Sequence, residues 1–183
     1  REGDLIKNIF LQFKLPDLKL SDGRDISYVN YIGYAMIDYL ELYINSSKMD
    51  TITGEWLYIY NELTVTENRK HGYNTMVGGK NFLTYNTYTG NQGGIYFVPL
   101  NFWFCQEVGS SIPYAALQYS DIEIKIKLKE FDKLWVTSDG NKPQEDFKIS
   151  SIHLCLEKIY LDSKERKEFA TQSHEYLIRQ TQF

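Results

Sequence analysis

Residues 95–106, IYFVPLNFWFCQ, carry five aromatic side chains and no charge in a chain that is otherwise polar and acidic. A helix crossing a bilayer needs roughly 20 apolar residues; Asn101 and Gln106 interrupt this run and Glu107 closes it. It is too short to span. A continuous apolar segment rich in Ile, Val, Phe and Trp reads instead as a strand buried on both faces. Pro99 has no amide hydrogen to donate and must sit at an edge, a bulge or a break. IYFV and LNFWFC are therefore expected as two halves of one bent strand, with Phe102 and Trp103 in the core.

The rest of the chain agrees with an all-β reading. A length of 183 residues with 43% hydrophobic content supports one domain with a substantial core, and 15 tyrosines with 10 phenylalanines favour pleated, half-buried surfaces. In DIEIKIKLKE (121–130), Ile122, Ile124, Ile126 and Leu128 alternate with Glu123, Lys125, Lys127 and Lys129, a strand pattern without an error. Leu5, Ile9, Leu11, Phe13 and Leu15 share a face broken only by Lys7, and Pro16 ends that strand. Residues 32–44 read as a central strand, and 149–161 as another with Ile152, Leu154 and Leu156 on one side and His153, Cys155 and Glu157 on the other. SDGRD (21–25) and SDGN (138–141) are turn sequences.

Residues 46–94 form one long excursion. It holds a helix at TGEWLYIYNELT, where Trp56, Ile59, Tyr60 and Leu63 recur at helical spacing and Thr53 can cap the start. The remainder, from Asn68 to Gly94, is polar, glycine-rich and without period, as in a long surface loop. For the tail after Asp162, helix and extended linker are both open. Strands of this length joined by one or two long crossovers suggest a two-sheet sandwich.

Reactive chemistry is not legible. VGGKN (77–81) lacks the phosphate-loop pattern, since Asn74 stands where the first Gly is needed and Asn81 where Ser or Thr holds magnesium. His71, His153 and His174 have no ligand spacing, and no GxSxG elbow occurs. Cys105 and Cys155 form neither a CxxC pair nor a disulfide framework, and are expected as buried free thiols. Asn45 opens an NSS sequon, read as an unmodified turn residue. No catalytic, cofactor-binding or metal-binding residue is expected, and the protein is not expected to be an enzyme. Lys plus Arg is 20 against Asp plus Glu 24, a net charge of -4, so direct nucleic-acid binding is not expected either. The tail and the Lys125, Lys127, Lys129 face are the only candidates for a basic surface, and the latter is read first as a solvated strand surface.

Four stretches in order, REGDLIKNIFLQFKLP, GYAMIDYLELYINSSKMDTITGEWLYIYNELT, YFVPLNFWFCQEVGSSIPYAALQYSDIEIKIKL and ERKEFATQSHEYLIRQTQ, together resemble the major capsid proteins of nucleocytoplasmic large DNA viruses. The most specific are PLNFWFC running into IPYAALQYSDIEI, the GEWLYIYNELT helix and the FATQSHEYLI tail. The resemblance implies a jelly-roll β-sandwich, the first of two eight-stranded rolls in each subunit, with a short helix in a long inter-strand loop. It places residues 1–161 in the first roll, lacking the earliest N-terminal strand. Residues 162–183 would hold a final strand and the start of the connector, beginning at SHEYLIRQTQF, to an absent second roll. Such subunits form homotrimers, pseudo-hexagonal capsomers that tile an icosahedral virion capsid and are assembled in the host cytoplasm. Partners would be the chain's own copies, neighbouring capsomers and minor capsid proteins, with no cofactor; contact with an inner membrane is left open. The excursion 46–94 would project as an outward crown or meet a neighbour. The alternative is a carbohydrate-binding, lectin-like jelly-roll module stacking sugars on Trp135 and the tyrosines of the 82–96 loop. A β-sandwich hydrolase would need a catalytic constellation that cannot be identified.

Overall fold

Leu5, Ile6, Ile9, Leu11, Phe13 and Leu15 are buried along strand β1 (Leu5–Leu15) of the computed structural model, which describes residues 3–22, 25–79, 93–117, 119–137, 140 and 148–182. The break at Lys7 is a change of register. Against β8 (Ser151–Ile159), Ile6 faces Lys158 and Asn8 faces Glu157, so Lys7 is the extra residue of a bulge and the buried phase shifts by one. On its other edge β1 pairs with β5 (Gly94–Pro99).

A second sheet has the order β4-β3-β6, from β3 (Ile37–Ile44), β4 (Ser47–Thr53) and β6 (Ile122–Leu128). In β6 the alternation is as expected: Ile122, Ile124 and Ile126 are half-buried while Glu123, Lys125 and Lys127 are exposed. A short ribbon joins β2 (Ile26–Tyr28) to β7 (Trp135–Thr137). All of these pairings are antiparallel. One core is shared between the sheets: Leu11 and Phe13 of β1, Leu40 and Leu42 of β3, Val98 of β5, and Leu57 of a helix. This is the two-sheet sandwich that the strand patterns predict.

Several expectations are corrected. Residues 32–44 are not one strand: Ile32–Ala35 is a single helical turn, α1, entered through Tyr31 at φ 52, and β3 starts only at Ile37. An apolar run buried all round does not reveal its period. The excursion is largely regular, with strand β4, helix α2 (Gly54–Thr64) and a further helix α3 (Glu67–Val77). Helix α2 lies where expected, and Thr53 Oγ1 accepts from the Trp56 amide at 3.1 Å. Its buried side is Gly54, Leu57 and Asn61, whereas Ile59 and Leu63 face solvent. Residues 80–92 of the expected loop lie outside the described residues, as do residues 23 and 24 of the first turn sequence and 138, 139 and 141 of the second.

IYFVPLNFWFCQ divides at Pro99 as expected, but only its first half is a strand. Trp103–Cys105 is a 3-10 turn that drives Phe102, Trp103 and Phe104 into the core. Ile95 and Phe97 of the first half are exposed, so β5 is buried on one side only.

The final strand expected after residue 161 is not formed. Ser163–Thr171, rich in Lys, Glu and Arg, is helix α4, and Asp162 caps it by accepting from the Lys164 and Glu165 amides; residues 172–182 form no strand. Helix α4 is tied to the start of β1 by Asp4. The buried Asp4 carboxylate accepts from Arg166 Nε at 2.7 Å, Arg166 Nη2 at 2.9 Å and the Leu161 amide at 2.8 Å. These donors, the Arg166 bond first, hold its pKa below the ordinary carboxylate value. A lowered folded-state pKa adds stability that is complete above the unfolded value of about 4 and is lost as pH falls through the folded value. The expected result is an acid-sensitive attachment of α4: the unfolding midpoint drops between pH 5 and pH 2 by more in the native chain than in Asp4→Asn. Parallel profiles in a thermal melt series would contradict the clamp.

Candidate functional site

The sequence-level candidates are scattered. His71 lies on α3, His153 on β8, and His174 in the C-terminal segment with its ring stacked 5.0 Å from Phe169. Among the described residues no group of His, Cys, Asp or Glu is placed to hold a metal. Gly78 of VGGKN closes α3 in the left-handed conformation at φ 79, the ordinary work of a glycine after a helix; Lys80 and Asn81 lie outside the described residues. Both cysteines are free. Burial pushes the Cys105 thiol up to about 12, which removes the thiolate that reactivity needs. Cys155 is half-buried on the other side of the sheet, 3.5 Å from Gln12 Oε1.

Asn45 and Ser46, at φ 49 and φ 65, are the two-residue turn between β3 and β4. Successive positive φ values define the hairpin turn whose twist matches its strands. The Asn45 side chain also donates to Ser120 Oγ at 2.9 Å and accepts from the Asp121 amide at 3.2 Å, tying the hairpin tip to the entry of β6.

The proposed sugar platform is not assembled from what is described. Trp135 is half-buried against the core, and one face of Tyr96 is taken by Phe13 at 5.5 Å. Tyr85 and Tyr88 lie outside the described residues.

The basic face is neutralised in place. Lys127 pairs with Asp38 at 3.0 Å, Lys129 with Glu55 at 3.5 Å and Lys125 with Glu123 at 3.8 Å. Lys125 and Lys127 also lie over the rings of Tyr43 and Tyr39. These exposed pairs fit the solvated strand surface read from the sequence. Among the described residues no helix is long and apolar enough to cross a membrane.

Two features were not visible in the sequence. The first is a cleft of about 520 Å³ between α1 and α2, lined by Tyr31, Tyr34, Tyr58 and Ile59 with Glu55 and Lys129 among its polar residues. The Tyr34 hydroxyl is buried, with no hydrogen-bond partner among the described residues, and burial raises its pKa. Gly54 makes this close approach possible, a spacing with no sequence signal of its own.

The second is an incompletely covered sheet. Phe13 lies between Tyr96 and Ile152 in register, and Leu11 between Val98 and Leu154. Ile152 and Leu154 thus share the core-facing side of the sheet, yet they are 41% and 43% exposed, and Leu156 is 42% exposed. Strand β8 pairs only with β1 among the described residues, so its far edge is unpaired. Ile95 and Phe97 expose further apolar surface at the opposite edge strand, β5. Clustered apolar surface and open edges mark surfaces that associate, and the arrangement offers packing rather than chemistry.

Comparison with known proteins points the same way. Residues 1–162 match the family model described as "Major capsid protein N-terminus". The whole chain is 35% identical to a major capsid protein of Pyramimonas orientalis virus, covering 44% of that protein. It is 32% identical to capsid protein 1 of Acanthamoeba polyphaga mimivirus, covering 34% of it. Its fold superposes on a chain of the PBCV-1 virus capsid with a TM-score of 0.80 at 26% identity, over 98% of this chain and 41% of that one. The chain spans less than half the length of these relatives.

Proposed function

Because this chain belongs to the family of major capsid protein N-termini, we propose that it works as the first jelly roll of a viral capsid subunit, a structural rather than an enzymatic role exercised in the virion shell. The observation that carries this reading is the superposition of nearly the whole chain on a unit of the PBCV-1 capsid. The surface supports it: paired charges on one sheet, open edges and half-covered apolar rows on the other. Residues 1–161 make up the roll, and the segment from Ser173 onward starts the connector to a second. Three copies of the complete subunit form a pseudo-hexagonal capsomer, and capsomers tile an icosahedral shell assembled in the host cytoplasm, with minor capsid proteins as further partners.

A permanent interface of this kind buries about 2,000 Å² or more. A polypeptide carrying this unit at the length of its relatives is expected to run as a stable trimer by light scattering behind a sizing column. A monomer at micromolar concentration would overturn the trimeric reading. The lectin alternative finds no specific support among the described residues.

A further inference from the structure

Strand β4 contains a second bulge. In its pairing with β3, Leu42 faces Asp50 and Tyr43 faces Lys48, which leaves Met49 with no residue opposite. Bulges re-aim the groups on either side of them, and both of the re-aimed groups are engaged by the C-terminal segment. The Gln180 side-chain amide donates to the Met49 carbonyl at 2.6 Å. The Thr181 backbone amide donates to Asp50 Oδ1 at 3.2 Å, beside the Thr51 amide at 2.9 Å. Arg179 donates to Gln106 Oε1 at 3.2 Å, just beyond the 3-10 turn, and Ile178 packs against the core.

Asp50 is only 5% exposed. A carboxylate is placed there at a cost in desolvation, and burial raises its pKa against the two backbone donors that lower it. Ordinary strand packing does not call for an acid at such a position. Its carboxylate is spent on a segment 131 positions away in the chain. Strand β4 pairs only with β3 among the described residues, and the segment's hydrogen bonds to it fall at the bulge.

We propose that the Met49 bulge and the Asp50 carboxylate form a receptor for residues 178–182, so that this segment is a fixed clamp setting the direction in which the chain leaves the sandwich, and not a flexible linker. Contacts from successive residues reach two separate elements, β4 and the loop after Trp103–Cys105, and two anchors fix a direction where one would leave a pivot. In a shell subunit that direction would set how following polypeptide packs; this consequence rests on the capsid reading, but the clamp does not.

The test uses the 183-residue chain. Asp50→Ala is expected to speed hydrogen exchange at the Thr181 amide, and tryptic cleavage after Arg179, about tenfold or more, with β1 amides still protected. Asp50→Asn keeps an acceptor oxygen and is expected to retain the native rates, which a loss of local packing would not explain. Thr181→Pro removes the donor from the tail side without touching the core, and should raise cleavage after Arg179 alone. It decides the matter if Asp50→Ala also exposes β1. A Thr181 amide unprotected in the native chain, or cleavage unchanged in Thr181→Pro, overturns the clamp while leaving the trimer measurement untouched.

Discussion

Phe102→Ala is expected to lower the unfolding free energy by about 3 to 5 kcal/mol, the range for truncating a buried aromatic ring. Phe102 is fully buried, its ring stacked 5.7 Å from Phe104, which in turn meets Trp103 edge-on at 5.2 Å. The backbone allows little collapse into the space left. The Phe102 amide donates to the Leu100 carbonyl at 2.9 Å and its own carbonyl accepts from Cys105 at 2.9 Å, so the turn is pinned on both sides of the cavity. A domain stable by roughly 5 to 15 kcal/mol would lose a large part of its margin. The urea midpoint should fall with an unchanged slope. An unmoved midpoint would show that the PLNFWFC turn is not the keystone its burial implies.

That prediction was available from sequence because uncharged aromatic density signals burial whatever the backbone does. The conformation was not available: a 3-10 turn and a buried strand place the same side chains inside, and only the strand has a diagnostic period. Where one face is wet, period is reliable, and β6 was legible residue by residue. Strand β4 was hidden because Asp50 occupies a buried position and Met49 is bulged, so the apolar alternation that marks a strand is missing from both. Helix α3 was hidden for a different reason. Among its residues only Val77 is buried, and a helix that packs through so few side chains has no stripe to read. Gly78, at its end, was the one cue. In α2 the error was one of face: Leu57 was passed over, and of the residues named in its place the fold leaves Ile59 and Leu63 in water.

The candidate site was less legible than the fold. Family-like stretches revealed what the chain resembles, but an associating surface is defined by what fails to be covered, and coverage depends on the whole sandwich. Ile152, Leu154 and Leu156 carry the same alternation as core residues and are half-exposed only because β8 has no further neighbour among the described residues. The Asp4–Arg166 pair joins residues 162 positions apart in the chain, and no local pattern announces it.

The contact between α1 and α2 depends on a single missing methyl group. A Cβ on Gly54 would stand 2.1 Å from the Tyr34 carbonyl oxygen and 2.5 Å from that of Ile37. Both obstacles are backbone, so neither can swing aside as a side-chain tip could. Gly54→Ala must push α2 outward, loosening Leu57 in the core and the Tyr31–Tyr58 contact, whose ring centroids lie 4.9 Å apart. The expected loss is about 3 kcal/mol, at the upper end for overpacking. Gly72→Ala supplies the contrast. It lies inside α3 with nothing within 4 Å of the added methyl, and removing glycine from a helix interior stabilises by roughly 0.5 to 1 kcal/mol. The two substitutions are chemically identical and should move the denaturation midpoint in opposite directions. If Gly54→Ala is as well tolerated as Gly72→Ala, the helix does not approach those carbonyls, and the tyrosine cleft beside it has a different shape.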